Sequence, residues 1–317
     1  MSDYKFEINV CDVMPKQRSQ LKAFRLKRSK WLDRLNGPSV NSIGNQIINL
    51  LWYSSLFNVF NESRKNDSSP INAALWDMLF KGYVVQMGTA IRRLVDKNEN
   101  TCSLAVILMD MQKNQHLLTR ENFICYDGWS FDPKPAKEYY QKNNLFDGEA
   151  HAIPMEGSGA WYRSEIAHKT FNKVTDSEGS INREDQIDTA VIERLIAELK
   201  KPEIDRVKAW VDKQIAHSDH SFDPNDPQFQ PTLNDIDESI KTIIQVRQFL
   251  STFILFDTDY GGVPTPQFDV FENLDQPFIS FNEMTNLDTY WHKRVKDVDG
   301  WASADSGYEN AFLIDSA

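Results

Sequence analysis

Apolar residues return every three or four positions along most of the chain, the spacing a helix needs to keep one face in a core. Ile43, Ile47, Leu50, Leu51, Leu56 and Phe57 form one such run. Leu75, Met78, Leu79, Val84, Val85, Ile91 and Leu94 form a second, reaching about Asp96. Leu104, Ile107, Leu108 and Met111 follow, then a run from Trp161 through Ile166 to Phe171. Later come Ile187 to Leu199, Val207 to Ile215, and Ile236 to Phe253. Helix-start chemistry precedes several of them: Ser39, Ser68-Ser69-Pro70, Ser103, Pro202 and Thr232. With 13 Gly and 13 Pro in 317 residues, long helices stand unbroken. The fold class this predicts is all-α, with any strand pairing confined to 119–160 or 260–317.

Breaks in the pattern divide the chain. Asn36-Gly37-Pro38 ends a basic N-terminal helix, giving a first segment 1–37. Periodicity then holds over 38–258, apart from a loop-rich insertion at about 119–160 containing Cys125-Tyr126-Asp127-Gly128-Trp129 and Asp132-Pro133-Lys134-Pro135. The run from Thr232 is expected to be the final helix. Beyond Asp257, residues 259–317 read as an irregular C-terminal extension, aromatic and acidic without clear period.

The formal net charge of −11 makes a whole-surface nucleic-acid binder a poor description, since phosphate is repelled on average. Any RNA contact needs a local basic patch. Such a patch lies between Lys16 and Arg34, with Lys22, Arg25, Lys27, Arg28 and Lys30 inside it and Asp33 the only acid. Leu21, Phe24, Trp31 and Leu35 supply its apolar stripe, but position 28, where the stripe wants an apolar residue, holds Arg28, and Leu26 falls off it. Two readings follow: a solvated face, or an arm in which Lys22, Arg25, Lys27 and Arg28 meet RNA phosphates.

Cys11, Cys102 and Cys125 are too scattered for a disulfide framework or a zinc site, which suits a reducing cytoplasm. Residues 1–10 are polar, unlike a secretory signal, and the apolar stretch 43–60 is interrupted by Asn, Gln and Ser, unlike a membrane span. There is no Gly-rich phosphate loop, Gly-x-Ser-x-Gly elbow or Cys-x-x-Cys. Glu165 and His168 have the spacing of a di-iron pair, but no second such pair exists. No metal and no other cofactor is expected.

The segment from Arg206 to His220 carries the most chemistry. At about 3.6 residues per turn, Arg206, Lys213 and His217 share one helical stripe, with Trp210 near it. Two cations and a neutral imidazole can hold a phosphate and take a proton from a ribose hydroxyl. A histidine capping a helix C-terminus is the structural alternative.

Asp212-Lys213-Gln214-Ile215-Ala216-His217-Ser218-Asp219 resembles the "Arg-Asn/Asp-Lys-x-x-Ala-His" helix of HEPN proteins, in particular the bacterial abortive-infection (AbiU-type) branch. His168-Lys169-Thr170-Phe171-Asn172, Asn182-Arg183-Glu184-Asp185-Gln186-Ile187, and Ile91-Arg92-Arg93-Leu94-Val95-Asp96 followed by Ser103-Leu104 are similar to further motifs of that branch. The resemblance spans about 40–258. It implies an antiparallel helical bundle, a homodimer, a phage-defence or toxin–antitoxin role with an antitoxin partner protein, and a metal-independent ribonuclease site. Carried onto this chain, that site comprises His217, Lys213, Arg206 and Asp212. The sequence departs from the family where its arginine would stand, six positions before His217: here it is Val211. Val211→Arg is then expected to raise activity if position 211 faces the groove. Arg163 and His168 are a second candidate pair, although five positions place them about 140° apart on a helix. A non-catalytic bundle that binds RNA or protein is the alternative function.

Overall fold

The computed structural model describes residues 4–66, 72–144, 153–176, 181–216, 230–257, 266–273, 276 and 281–301. The chain divides into two compact units, Met1–Pro264 and Thr265–Ala317. The first contains α1 (Arg18–Asn36), α2 (Ile43–Asn66), α3 (Ala73–Leu94), α4 (Leu104–Lys113), α5 (Arg120–Cys125), α6 (Lys134–Asn144), α7 (Trp161–Phe171), α8 (Thr189–Glu198), α9 (Pro202–Trp210) and α10 (Leu233–Phe249). The second contains α11 (Phe281–Met284) and α12 (Leu287–Trp301). Among the described residues there is no strand, and one isolated bridge, Thr119 to Gln186, is present. The all-α class expected from periodicity is what the chain adopts.

Side-chain caps start several helices where the sequence marks them. Ser103 accepts from Val106 N at 3.1 Å and opens α4. Thr232 and Asp235 exchange hydrogen bonds in a capping box that opens α10. Asn72 caps α3, accepting from Leu75 N at 2.9 Å, whereas Ser68-Ser69-Pro70 lies outside the described residues. Ser39 caps only a turn; Ser42 receives the amide of Asn45 at the start of α2.

α9 lies against both α3 and α10; α2 packs on α3, α4 on α8, α5 on α7, and α1 on α2, α4 and α5. The buried positions follow the predicted stripes: Met87, Ile91 and Leu94 on α3, and Ile236, Ile240, Ile243 and Leu250 from α10 onward. One contiguous core results. Burying each such side chain contributes about 1.5–3 kcal/mol.

Three boundaries differ from expectation. α1 belongs to the core: Leu21, Phe24, Trp31 and Leu35 are essentially sealed. Every residue of α5 is buried, so the stretch read as an insertion at 119 begins with a core helix that was too short to show its period. Near the C-terminus, 287–301 is helical rather than irregular, so α10 is not the last helix. Tyr290, Trp291, Val295 and Val298 of α12 are exposed.

Candidate functional site

α9 begins with Pro202 and carries Glu203 and Asp205 in its first turn, suited to the positive helix end. After Trp210 the backbone changes to a π-helical turn, Val211–Ala216. Val211 is only 2% exposed. It meets α3 at Gly88, where an added Cβ would come within 2.9 Å of the Val211 Cγ2; the missing side chain allows this approach. Farther along, Gln214 and Ile215 face Val84, Val85 and Phe80 across an apolar cleft of about 390 Å³. The motif segment therefore runs antiparallel to α3.

A π turn bonds i to i+5, so the phase of an ordinary helix does not continue through it. Only three residues of that turn, Val211 to Lys213, follow α9 up to the second cation, so the facing of Arg206 and Lys213 is shifted by part of a turn. Arg206 instead reaches Asp235 on α10, whose carboxylate also accepts from Thr232 N at 2.7 Å and Oγ1 at 2.8 Å. Burial works to raise the Asp235 carboxyl, but the bonds from Thr232 and Arg206 outweigh it and hold it below the usual range. Asp212 is bonded by the Arg92 Nε of α3, and Arg92 also lies 3.8 Å from Asp96. Lys213 is half-buried. His217 lies outside the described residues.

The second candidate pair sits on α7. His168 is 7% exposed, and its Nε2 lies 2.7 Å from the Phe131 carbonyl. A carbonyl only accepts, so Nε2 carries the proton and Nδ1 is bare; Nδ1 is buried without a partner among the described residues. Desolvation pushes the His168 pKa down, with the Phe131 hydrogen bond opposing it. One turn earlier, Ser164 Oγ donates to Ser130 O at 2.7 Å. α7 thus straps the 129–131 segment to the core. Arg163 lies 5.7 Å from the centroid of the Trp129 ring, and Glu165 pairs with Lys137 at 2.6 Å. Arg163 and His168 thus meet different residues, Trp129 and Phe131, of the same segment. Among the described residues no three His, Cys, Asp or Glu are grouped to hold a metal ion.

Two of the motifs singled out in the sequence converge on Arg120, a residue that sequence reasoning passed over. Arg120 is fully buried, bonds Asp185 at 2.8 Å and Asn172 at 2.6 Å, and lies over the Phe171 ring. Its neighbour Glu121 accepts from Arg183 at 2.7 Å and from Met14 N at 3.0 Å. Arg183 also holds Asp12 at 2.9 Å. The 168–172 and 182–187 segments are joined by this network, and removing one partner would strand a buried charge at a cost of about 3–5 kcal/mol.

The family model for AbiU2, a HEPN family, matches residues 39–265, well over half of the chain. The chain belongs to the AbiU2 HEPN family. It is therefore a HEPN-type protein of the abortive-infection class. The matched span holds α2 to α10, including Arg92, the Arg120 network and the motif turn. No curated protein and no solved structure matches the chain.

The basic run of this AbiU2-family chain lies before that span, and the structure does not leave it as a free arm. Arg28 is 5% exposed; it donates to Leu255 O at 3.1 and 2.7 Å and lies 4.1 Å from the Tyr126 ring centroid. It fills the slot where the stripe wanted an apolar residue, with its stem packed and its head on a helix-end carbonyl, while Leu26 points out. Arg25 is likewise buried, bonding Tyr126 O at 2.7 Å and Cys11 Sγ at 3.0 Å. Lys27 pairs with Asp110 at 2.7 Å. Of the four, only Lys22 is exposed.

Proposed function

We propose that this AbiU2-family protein acts on RNA in phage defence, cutting it without a metal ion at a site around His217. The neutral imidazole takes the proton of a ribose 2′-hydroxyl. The 2′-oxygen attacks the adjacent phosphorus to form the 2′,3′-cyclic phosphate, the P–O5′ bond breaks with the 5′-oxygen taking a proton from water, and a nearby cation stabilises the charge on the phosphoryl oxygens. The observation that carries this reading is the ion pair between Arg92 and Asp212. Val211 offers no guanidinium, but Arg92 brings one from α3 to the next residue of the motif. Lys213 adds a second positive charge within the same turn. Arg206, engaged in the cap of α10, positions the turn.

The test uses end-labelled RNA with the purified chain in EDTA. His217→Ala abolishes cleavage while helical signal and Tm hold, and Arg92→Gln lowers the rate about a hundredfold, with Arg92→Lys between. Loss of cleavage in His168→Ala but not in His217→Ala would place the chemistry on α7. The second reading, a non-catalytic RNA- or protein-binding bundle, draws on the burial of Val211 and on the pairing of both Arg92 and Arg206 with carboxylates. No cleavage by any form, with a lowered Tm for His217→Ala, would establish it. In the toxin–antitoxin form of the first reading, an antitoxin protein covers this site.

The same proposal includes a homodimer. Met78, Leu79 and Val85 of α3 and Val59 and Phe60 of α2 are exposed on two long paired helices. Asp77 and Lys81, paired at 2.7 Å, flank them, and a two-fold axis sets the acid of one protomer against the base of the other.

A further inference from the structure

A cleft of about 460 Å³ lies between α1 and α4, closed at one end by the loop at 97–99. Lys27, Lys30 and Arg34 enter it from one face of α1, Lys97 from the loop and Lys113 from α4. Against these five cations stand Asp33, Glu99 and Asp110. Two of the acids are already engaged. Asp110 accepts from Lys27 at 2.7 Å and from the Trp31 indole at 2.8 Å, and Glu99 pairs with Lys113 at 3.0 Å. Burial favours a protonated Asp110, but the bonds from Lys27 and Trp31 and the charges of Lys27 and Arg34 keep it ionised and locked in the floor. Arg34 donates to the Glu99 carbonyl at 3.0 Å, which fixes its guanidinium at the rim. Lys30 and Lys97 are exposed and make no ion pair or hydrogen bond with another described side chain.

We infer that this cleft binds the phosphate backbone of RNA, a site distinct from the motif turn. A chain of net charge −11 that gathers a cation excess in one concavity has made a local exception to its own repulsion of phosphate. Recognition is by charge alone. Trp31, the aromatic residue of the cleft, is 1% exposed and cannot stack on a base. The ligand is thus read by its phosphates rather than its sequence. The inference deepens the RNA reading above and rests on it, but it concerns binding and not cleavage.

The experiment measures fluorescence anisotropy of a labelled single-stranded RNA 12-mer across a salt series. Lys30→Glu/Lys97→Glu is expected to weaken binding about tenfold or more at low salt and to flatten the log K against log salt slope by about 1.4, near 0.7 per phosphate contact. Lys65→Glu/Lys241→Glu makes the same net charge change elsewhere and should leave binding near that of the unaltered protein. Equal weakening by both double variants, or by neither, overturns the cleft. Displacement of the RNA by ATP at equal phosphate concentration also overturns it, in favour of a free nucleotide. Binding that depends on Lys30 and Lys97 in a chain that never cuts RNA upholds the cleft while removing the ribonuclease.

Discussion

Val211→Arg puts the family's residue back at its own position, and the packing at that position decides the outcome. Val211 is 2% exposed and its Cγ2 already lies close to Gly88 on α3. The substitution forfeits the burial of the valine side chain, about 1.5 kcal/mol. It overpacks the α3 crossing by about 1–3 kcal/mol, because helix backbone at Gly88 has little room to yield. It also places a guanidinium among Trp210, Gly88 and apolar neighbours, where an unpaired charge costs several kcal/mol more. A total of at least about 4 kcal/mol lowers Tm by roughly 10 °C in a unit of this size. The assay is a far-ultraviolet circular dichroism melt beside cleavage of labelled RNA. A Tm within about 2 °C of the unaltered protein together with faster cleavage would show that position 211 faces the groove, and the reasoning from Gly88 would fall.

The remaining predictions concern protonation and assembly. Because His168 has its pKa held below the ordinary value of 6.5, mainly by desolvation, the folded state binds fewer protons than the unfolded one just below that value. Its contribution to stability is therefore complete above 6.5 and is lost as pH falls from 6.5 toward the lowered folded value. His168→Gln, which keeps a donor for the Phe131 carbonyl but does not titrate, should flatten the pH dependence of the denaturant midpoint below 6.5; parallel slopes for both proteins would refute the assignment. Light scattering should give twice the chain mass, and Met78→Asp/Leu79→Asp should give the monomer. A mass of one chain at every concentration would remove the dimer.

Much of the fold was legible because burial here follows helical phase. Along α10 and the turn that follows it, Ile236, Ile240, Ile243 and Leu250 form a stripe visible in the sequence, and all are buried. The capping residues Ser103 and Thr232 could be read because their chemistry is local, involving an oxygen and an amide three residues on. What failed was non-local. The six residues of α5 span less than two turns, too few to establish a period, and they are buried by α7 and α1 rather than by any pattern of their own. Helix α12 was missed for the opposite reason. Its stripe of Trp291, Val295 and Val298 was present but sat within an aromatic, acidic stretch that obscured it.

The site was harder because arginine serves two opposite purposes in this chain, and a sequence does not separate them. In the basic run, charge density suggested a phosphate-facing surface, yet Arg25 and Arg28 spend their donors on the Tyr126 and Leu255 carbonyls and their planes on Tyr4 and Tyr126. The one clue was geometric: Arg28 occupied an apolar slot of the stripe, which marks a long side chain whose stem is packed inward. The cations that do open onto a cavity, Lys27, Lys30, Arg34, Lys97 and Lys113, come from three separate segments and are assembled only by the packing of α1 on α4. The motif helix shows the same limit in its phase. Aligning Arg206 with Lys213 assumed an uninterrupted α-helix, whereas the backbone turns π-helical at Val211 and the phase shifts from there on. The turn instead places Asp212 against Arg92, which stands 120 residues earlier in the chain. A motif read along one helix could name Asp212, but the guanidinium that pairs with it comes from another helix, and only the antiparallel packing of α3 on α9 brings the two segments together.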